Sequence, residues 1–233
     1  CELLPKRIQQ TDRNCNAMTF EELKFQVIDR QRRLQIDQLL YIYIKAQNYG
    51  DILRAVKSTG NLDWILRNGF RELAQNIPIS ELEAENIYQR DVSLSDQNKD
   101  IIMLSGTLTI TQSGTNRCKV ISDGATINAT INDSAMLEFE LYQSSYATLN
   151  INSFGYAHVL TKENSRTSIN GNDNSTIKLI GYGSSETNTN LGINSFINSI
   201  LYDNAKIVNL GENNLIARQR DDSQIIYGEN QGL

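Results

Sequence analysis

Broken at each polar pair, residues 123–153 read DGATINATIN (Asp123 to Asn132), DSAMLEFELY (Asp133 to Tyr142) and QSSYATLNINS (Gln143 to Ser153). The frame returns in DNSTIKLIGY (Asp173 to Tyr182), DNAKIVNLGE (Asp203 to Glu212) and DDSQIIYGEN (Asp221 to Asn230). Each unit opens on a polar turn pair, usually led by Asp or Asn, which tolerate left-handed backbone and hydrogen-bond it locally. A small residue follows: Ala125, Ala135, Ser145, Ser175, Ala205 or Ser223. Apolar and polar residues then alternate. Period two places Ala125, Ile127, Ala129 and Ile131 on one strand face and Thr126, Asn128, Thr130 and Asn132 on the other. One such strand cannot bury its apolar face alone, so copies must stack, and stability becomes a sum over neighbours.

The stretch 105–233 is therefore expected to form a parallel β-helix, or β-solenoid, with repeats of about ten residues. Two arrangements fit. One chain can wind with two units per coil, about 20 residues, or three chains can intertwine as the faces of a prism. The frame slips near 154–172 and 183–192, where bulging turns are expected.

A helical module precedes the repeats. Thr19 and Glu22 have capping-box spacing and open a helix with Phe20, Leu23 and Val27 on one face. A second helix is expected from about Leu34 to Gln47. Its apolar residues Leu39, Leu40, Ile42, Tyr43 and Ile44 wrap most of the circumference and make it central to a small bundle. Tyr49-Gly50 is read as its end, and Asp51 as the cap of a third helix closed by Gly60. A fourth helix starts at Asn61 or Asp63 and carries Trp64 and Phe70. A fifth, capped by Ser80 and Glu83, runs to about Tyr88. From Arg90 to Asp100 the chain turns polar. The fold class expected is thus α+β in series: a helical domain at 1–90, a linker with the first strand at 91–104, and the repeats at 105–233.

Composition narrows the partners. The 233 residues carry a net charge of −5, with 39% apolar residues and 2 Pro. That suits a lean folded core and argues against nucleic acid, which needs a concentrated basic face. Arg30, Arg32 and Arg33 read as a solvated helix surface. The most apolar run, Leu39 to Ile44, is far shorter than the roughly 20 residues of a membrane span, so no membrane partner is expected. The 3 Cys (Cys1, Cys15, Cys118) are too scattered for a disulfide framework or metal knuckle. Cys1 reads as a trimmed or processed start, with an acylated lipoprotein cysteine as the alternative.

No catalytic, cofactor or metal site is expected. Asp123, Asp133, Asp173, Asp203 and Asp221 could align along one edge of a stack, where paired carboxylates would permit glycoside hydrolysis. Each opens a unit, however, and turn chemistry already accounts for it. His158 is the sole histidine, which excludes most histidine zinc sites and leaves any triad resting on one residue. No H-E-x-x-H, G-x-S-x-G or P-loop occurs. Tyr41, Tyr43, Trp64 and Phe70 are the candidate docking or core residues.

The units DGATINATIN, DSAMLEFELY and DNAKIVNLGE, behind a helical module containing NLDWILRNGF, resemble short β-solenoid structural proteins of Bacteroides-type bacteria and of the tailed, crAss-like phages that infect them. The resemblance covers mostly 105–230. It implies a virion fibre or accessory protein of head or tail, with no catalytic residues to carry over. The expected role is non-enzymatic: docking through the helices, projecting or bridging through the stack, as a homo-oligomer (a trimer favoured) among other structural proteins. The virion is the expected location, or otherwise the bacterial cytoplasm. Two alternatives stay open, a carbohydrate-binding or glycan-acting β-helix using the Asn/Thr face, and a bactofilin-like bacterial scaffold.

Overall fold

The computed structural model describes residues 17–33, 37–58, 69–210 and 215–227. The chain divides into two compact units, residues 1–81 and 82–233. It is a short helical region followed by a parallel β-solenoid of about seven turns.

In the first unit, α1 (Phe20–Arg33) packs on α2 (Asp37–Lys45), and α2 on α3 (Tyr49–Ser58). The expected capping box opens α1: Thr19 N–H donates to Glu22 Oε2 at 2.8 Å, and Glu22 N–H to Thr19 Oγ1 at 3.3 Å. The Thr19 backbone bond, then its hydroxyl, hold the Glu22 carboxyl below its ordinary pKa. Leu23 and Val27 face the core.

Several helix expectations need correcting. Helix α2 is amphipathic and not buried all round: Tyr43 is fully buried, while Tyr41 is 59% and Ile44 48% exposed. Tyr49-Gly50 does not end it but begins α3. The cap is Asn48, whose Oδ1 accepts the Asp51 N–H at 2.9 Å, while Asp51 reaches back to the Gln47 N–H at 2.8 Å. This is the capping-box logic with Asn and Asp in the two roles. The expected fourth helix falls largely outside the described residues. Its described end, with Phe70, is a π turn at Gly69–Phe70 followed by the short helix α4 (Arg71–Ala74).

Helix α5 (Ile79–Ala84) already includes Ser80 and stops four residues before Tyr88. Asn86, at φ +57°, turns the chain out of the helix, a conformation Asn adopts at modest cost. Glu83 serves Arg90, at 2.6 and 2.9 Å, instead of a cap. The next residues are already strand. The polar segment expected as a linker is therefore the first coil of the stack.

Among the described residues the coils build two eight-stranded parallel sheets. Sheet I holds β1 (Ile87–Tyr88), β3 (Ile101–Met103), β5 (Arg117–Asp123), β7 (Met136–Tyr142), β9 (Tyr156–Thr161), β11 (Thr176–Gly181), β13 (Phe196–Leu201) and β15 (Leu215–Gln219). Sheet II holds β2 (Val92–Ser95), β4 (Thr107–Gln112), β6 (Thr126–Ile131), β8 (Tyr146–Ile151), β10 (Arg166–Gly171), β12 (Glu186–Leu191), β14 (Lys206–Asn209) and β16 (Gln224–Tyr227). Successive strands alternate sheets, and every pairing lies within this chain. It is a single-chain solenoid, not three interleaved strands.

Register is constant through the middle. Thr126 pairs with Tyr146, Arg166 with Glu186, and Tyr156 with Thr176, each twenty positions on. The slips expected at 154–172 and 183–192 do not occur. Irregularity sits at the ends: Val92 pairs with Leu108, and Ile197 with Leu215. The inward residues of the two segments expected to slip are Ala157, Val159 and Thr161, then Thr167, Ile169 and Gly171, then Thr187, Thr189 and Leu191. Buried hydroxyls and glycines replace aliphatics there, which hides the phase without shifting it.

Inward side chains from both sheets form one core from Tyr88 to Ile207. Each fully buried Leu, Ile or Phe contributes about 1.5–3 kcal/mol relative to exposure. Turns use left-handed residues, among them Asp133 (φ +57°), Gln143 (+52°), Glu163 (+58°) and Asp203 (+56°). The third position of each unit is small because the backbone folds over it. A Cβ on Gly155 would lie 2.9 Å from Ile151 Cγ2 and 3.0 Å from the Asn152 carbonyl oxygen.

Candidate functional site

With the core filled, the positions left for function are the outer faces and the turn edges. The rows of acids that open the repeats lie on the edges, and their geometry is that of stitching. The Gly183 N–H donates to Asp203 Oδ2 at 3.0 Å, the Asp203 N–H to Asp221 Oδ2 at 3.4 Å, and the Gly114 N–H to Asp133 Oδ2 at 3.3 Å. Each carboxylate thus binds the turn of the preceding coil and satisfies an amide that points along the stack. Asp123 is buried. On the edge that carries Asp133, the Asn152 amide donates to Asn132 Oδ1 at 3.0 Å, and that of Asn172 to Asn152 Oδ1 at 3.2 Å. Among the described residues no three His, Cys, Asp or Glu side chains gather as a metal-holding group.

The outer face of sheet II is polar and uncharged in its two central rows. One row runs Thr109, Asn128, Thr148, Ser168, Asn188; the other Thr111, Thr130, Asn150, Asn170, Asn190. The Asn170 amide donates to Asn150 Oδ1 at 3.0 Å, an amide ladder of the kind that strengthens in-register stacks. Tyr146, 46% exposed, stands in the flanking row between Thr126 and Arg166.

The outer face of sheet I differs. Its central row runs Glu140, Leu160, Ile180, Ile200, Arg218. A second row runs Glu138, His158, Lys178, Asn198, Ile216. Along the edge, Lys162 lies over the Tyr142 ring at 5.0 Å, Tyr182 stacks on Tyr202 at 4.7 Å, and Arg220 lies over Tyr202 at 5.5 Å. Because Tyr182 and Tyr202 are parallel within 4°, their faces cover one another and present edges outward. Lys119 Nζ meets Glu140 Oε1 at 2.6 Å, and the Tyr142 hydroxyl donates to Glu140 Oε2 at 2.8 Å.

His158 sits within this face. Burial, then Lys178, lower its pKa, against the opposing pull of Glu138 and Glu140. Its Nε2 is buried without a hydrogen-bond partner among the described residues. Cys118 is a buried free thiol, pushed up to about 12 by burial and then by Asp100. Cys1 and Cys15 lie outside the described residues.

The four docking candidates separate. Tyr43 and Phe70 are core, 0% and 3% exposed. Burial pushes the Tyr43 phenol up to about 12. Tyr41 is exposed, and Trp64 lies outside the described residues. Tyr41 borders an open recess of about 490 Å³ with Ile42, Lys45, Ala46, Asp51, Arg54 and Ala55. With Ile44 and Phe25, 71% exposed, it gives the helical unit an apolar exterior where the sequence pattern of α2 points to core. Among the described residues no helix is long and apolar enough to cross a membrane.

Compared with family models, curated proteins and solved structures, the chain matches none.

Proposed function

We propose that this protein is a non-enzymatic structural part of a larger assembly, a head- or tail-associated virion component of a tailed phage of the kind the repeats resemble. The solenoid is consistent with a structural or scaffold role. In this reading the helical unit is a small docking bundle, with Tyr41 and Ile44 toward the partner. The stack projects or bridges, built by duplication of ten-residue rungs.

One observation carries the reading. Asp133, Asp203 and Asp221, three of the five acids that could have carried chemistry, serve as acceptors for turn amides of neighbouring coils, at 3.0 Å for Gly183 to Asp203. What remains outside is extended ladders, and such surfaces suit side-by-side contact with other proteins. Peptide mass spectrometry of gradient-purified particles from an infected Bacteroides-type culture tests it. The chain is expected in the particle fraction in stoichiometric amount. Recovery from cell lysate alone overturns the virion reading, and turnover of any glycan by the purified chain overturns the non-enzymatic one.

A second reading has its own support in sheet II. Rows of Thr, Ser and Asn without a charge, beside the exposed Tyr146, offer the neutral hydrogen-bonding and one aromatic surface that suit an uncharged glycan. Binding on a glycan array, lost in Asn170→Lys, would favour it over pure scaffolding.

A further inference from the structure

The central row of sheet I changes character in one direction: acid, three aliphatics, base. We propose that two copies of this chain pair face to face through the outer surface of sheet I, with their stacks antiparallel about a two-fold axis lying along β11.

The row Glu140–Leu160–Ile180–Ile200–Arg218 fixes the axis. Reversed and laid on itself, it sets Ile180 against Ile180, Leu160 against Ile200, and Glu140 against Arg218. The flanking rows agree. Tyr156 meets Phe196 across the central Thr176. On the other side Lys162 lies opposite Tyr202 of the second copy, and Arg220 opposite Tyr142, where the phenol oxygens can accept from the cations. His158 faces Asn198. Two positions oppose the fit. Lys178 meets its own copy; it is exposed and long enough to turn its ammonium to the rim. Glu138 meets Ile216 on the outermost rungs of the footprint, where its carboxylate stays at the solvated margin.

The face is self-complementary, which is what an isologous contact requires. Parallel stacks would set Glu140 on Glu140 and Arg218 on Arg218, so charge selects the antiparallel pair. Glu140 keeps its bonds to Lys119 and Tyr142 and still has acceptor capacity for a guanidinium. Arg218 has no acidic partner among the described residues, and Ile216 beside it is 54% exposed. Phe196 is 36% exposed, and Leu160, Ile180 and Ile200 each keep part of their surface in water. Sheet II offers no such pairing, because its central rows hold neither charge nor aliphatic groups from β4 to β12.

Size sets the strength. Five rungs at about 4.8 Å, each about 20 Å wide, give a footprint of about 500 Å² per copy. That is below the roughly 800 Å² per partner of standard stable complexes, so the pair is reversible, with a Kd in the micromolar range. The proposal needs the stack faces to be assembly surfaces but does not depend on which particle they serve. A monomer in solution sinks the pairing, whereas absence from particles sinks the virion reading.

Sedimentation velocity and light scattering on the full chain, from about 1 to about 200 µM, test it. The mass is expected to rise from 26.3 kDa toward twice that value. Ile180→Lys, on the axis, should hold the chain monomeric throughout. Arg218→Glu should weaken pairing at least about tenfold, and Arg218→Glu with Glu140→Arg should recover part of the loss. Thr148→Lys, the same kind of change on sheet II, should leave the mass curve unmoved. All substituted positions face outward, and an unchanged circular dichroism spectrum and melt confirm folding. A wild-type monomer at every concentration, a trimer or filament, or an Ile180→Lys curve equal to wild type overturns the proposal.

Discussion

The backbone N–H of Gln143 donates to the Glu163 carboxylate at 2.8 Å, from a turn one coil away. Both residues are left-handed, at φ +52° and +58°. The contact shows why the repeats open on acidic and amide residues: the side chain ties its own turn to the one before. Glu163→Ala is expected to cost about 1–2 kcal/mol, through loss of a charge-assisted bond and an orphaned amide. Glu163→Gln keeps an acceptor and should cost about half as much. Urea unfolding midpoints read both, and a Glu163→Ala midpoint equal to wild type would show that the stitch contributes nothing.

Two interior threonines should respond in opposite directions. Thr161 Oγ1 donates to Ser185 Oγ at 3.0 Å, whereas Thr167 Oγ1 is buried without a partner among the described residues. Thr167→Val removes an unsatisfied hydroxyl at constant volume and should stabilise by about 0.5–1 kcal/mol. Thr161→Val strands Ser185 and should destabilise by about 1 kcal/mol. Thermal melts of the pair decide it.

His158 gives the fold a pH dependence of known sign. Its folded pKa lies below the ordinary value of 6.5, because burial and Lys178 disfavour the cation more than Glu138 and Glu140 favour it. The unfolded chain therefore binds more protons just below pH 6.5. The stability His158 contributes is full above that value and declines as pH falls through the folded pKa. His158→Gln should flatten the slope of Tm between about pH 6.5 and 5, and a slope as steep as wild type refutes the assignment.

Cys118 should be inert in the folded protein. Its thiol is buried, and at a pKa of about 12 almost none of it is thiolate at neutral pH. In a Cys1→Ser, Cys15→Ser background, iodoacetamide at pH 7.5 is expected to label it only on denaturation. Rapid native labelling would place residue 118 outside the core.

The stack is legible in the sequence because Ile127 and Ile177 alternate cleanly with polar neighbours and each follows an Asp-headed turn. Phase is lost where the inward residues are Thr167, Gly171, Thr187 and Thr189. A hydroxyl turned inward looks like one turned outward, and only position relative to the turn distinguishes them. Ser165, Ser185 and Ser195, each third in its unit, are the available signal. The first strands leave no trace in the pattern because Ile87–Tyr88 and Val92–Ser95 are too short to show a period. The sheet I row cannot be seen as a row until coil length is known. Glu140, Leu160 and Ile180 are unremarkable singly and become a surface only when they pair side by side.

The alternation of strands between two sheets gives the gene a rule of parity. Excising residues 143–162, one whole coil, joins Tyr142 to Glu163 and leaves every later side chain on its original sheet. Excising 143–152 alone would send each downstream strand to the opposite side, exchanging the uncharged exterior for the aliphatic one. Length in this architecture can thus drift by whole coils while the identity of each side is inherited, and odd steps are the ones selection would have to remove.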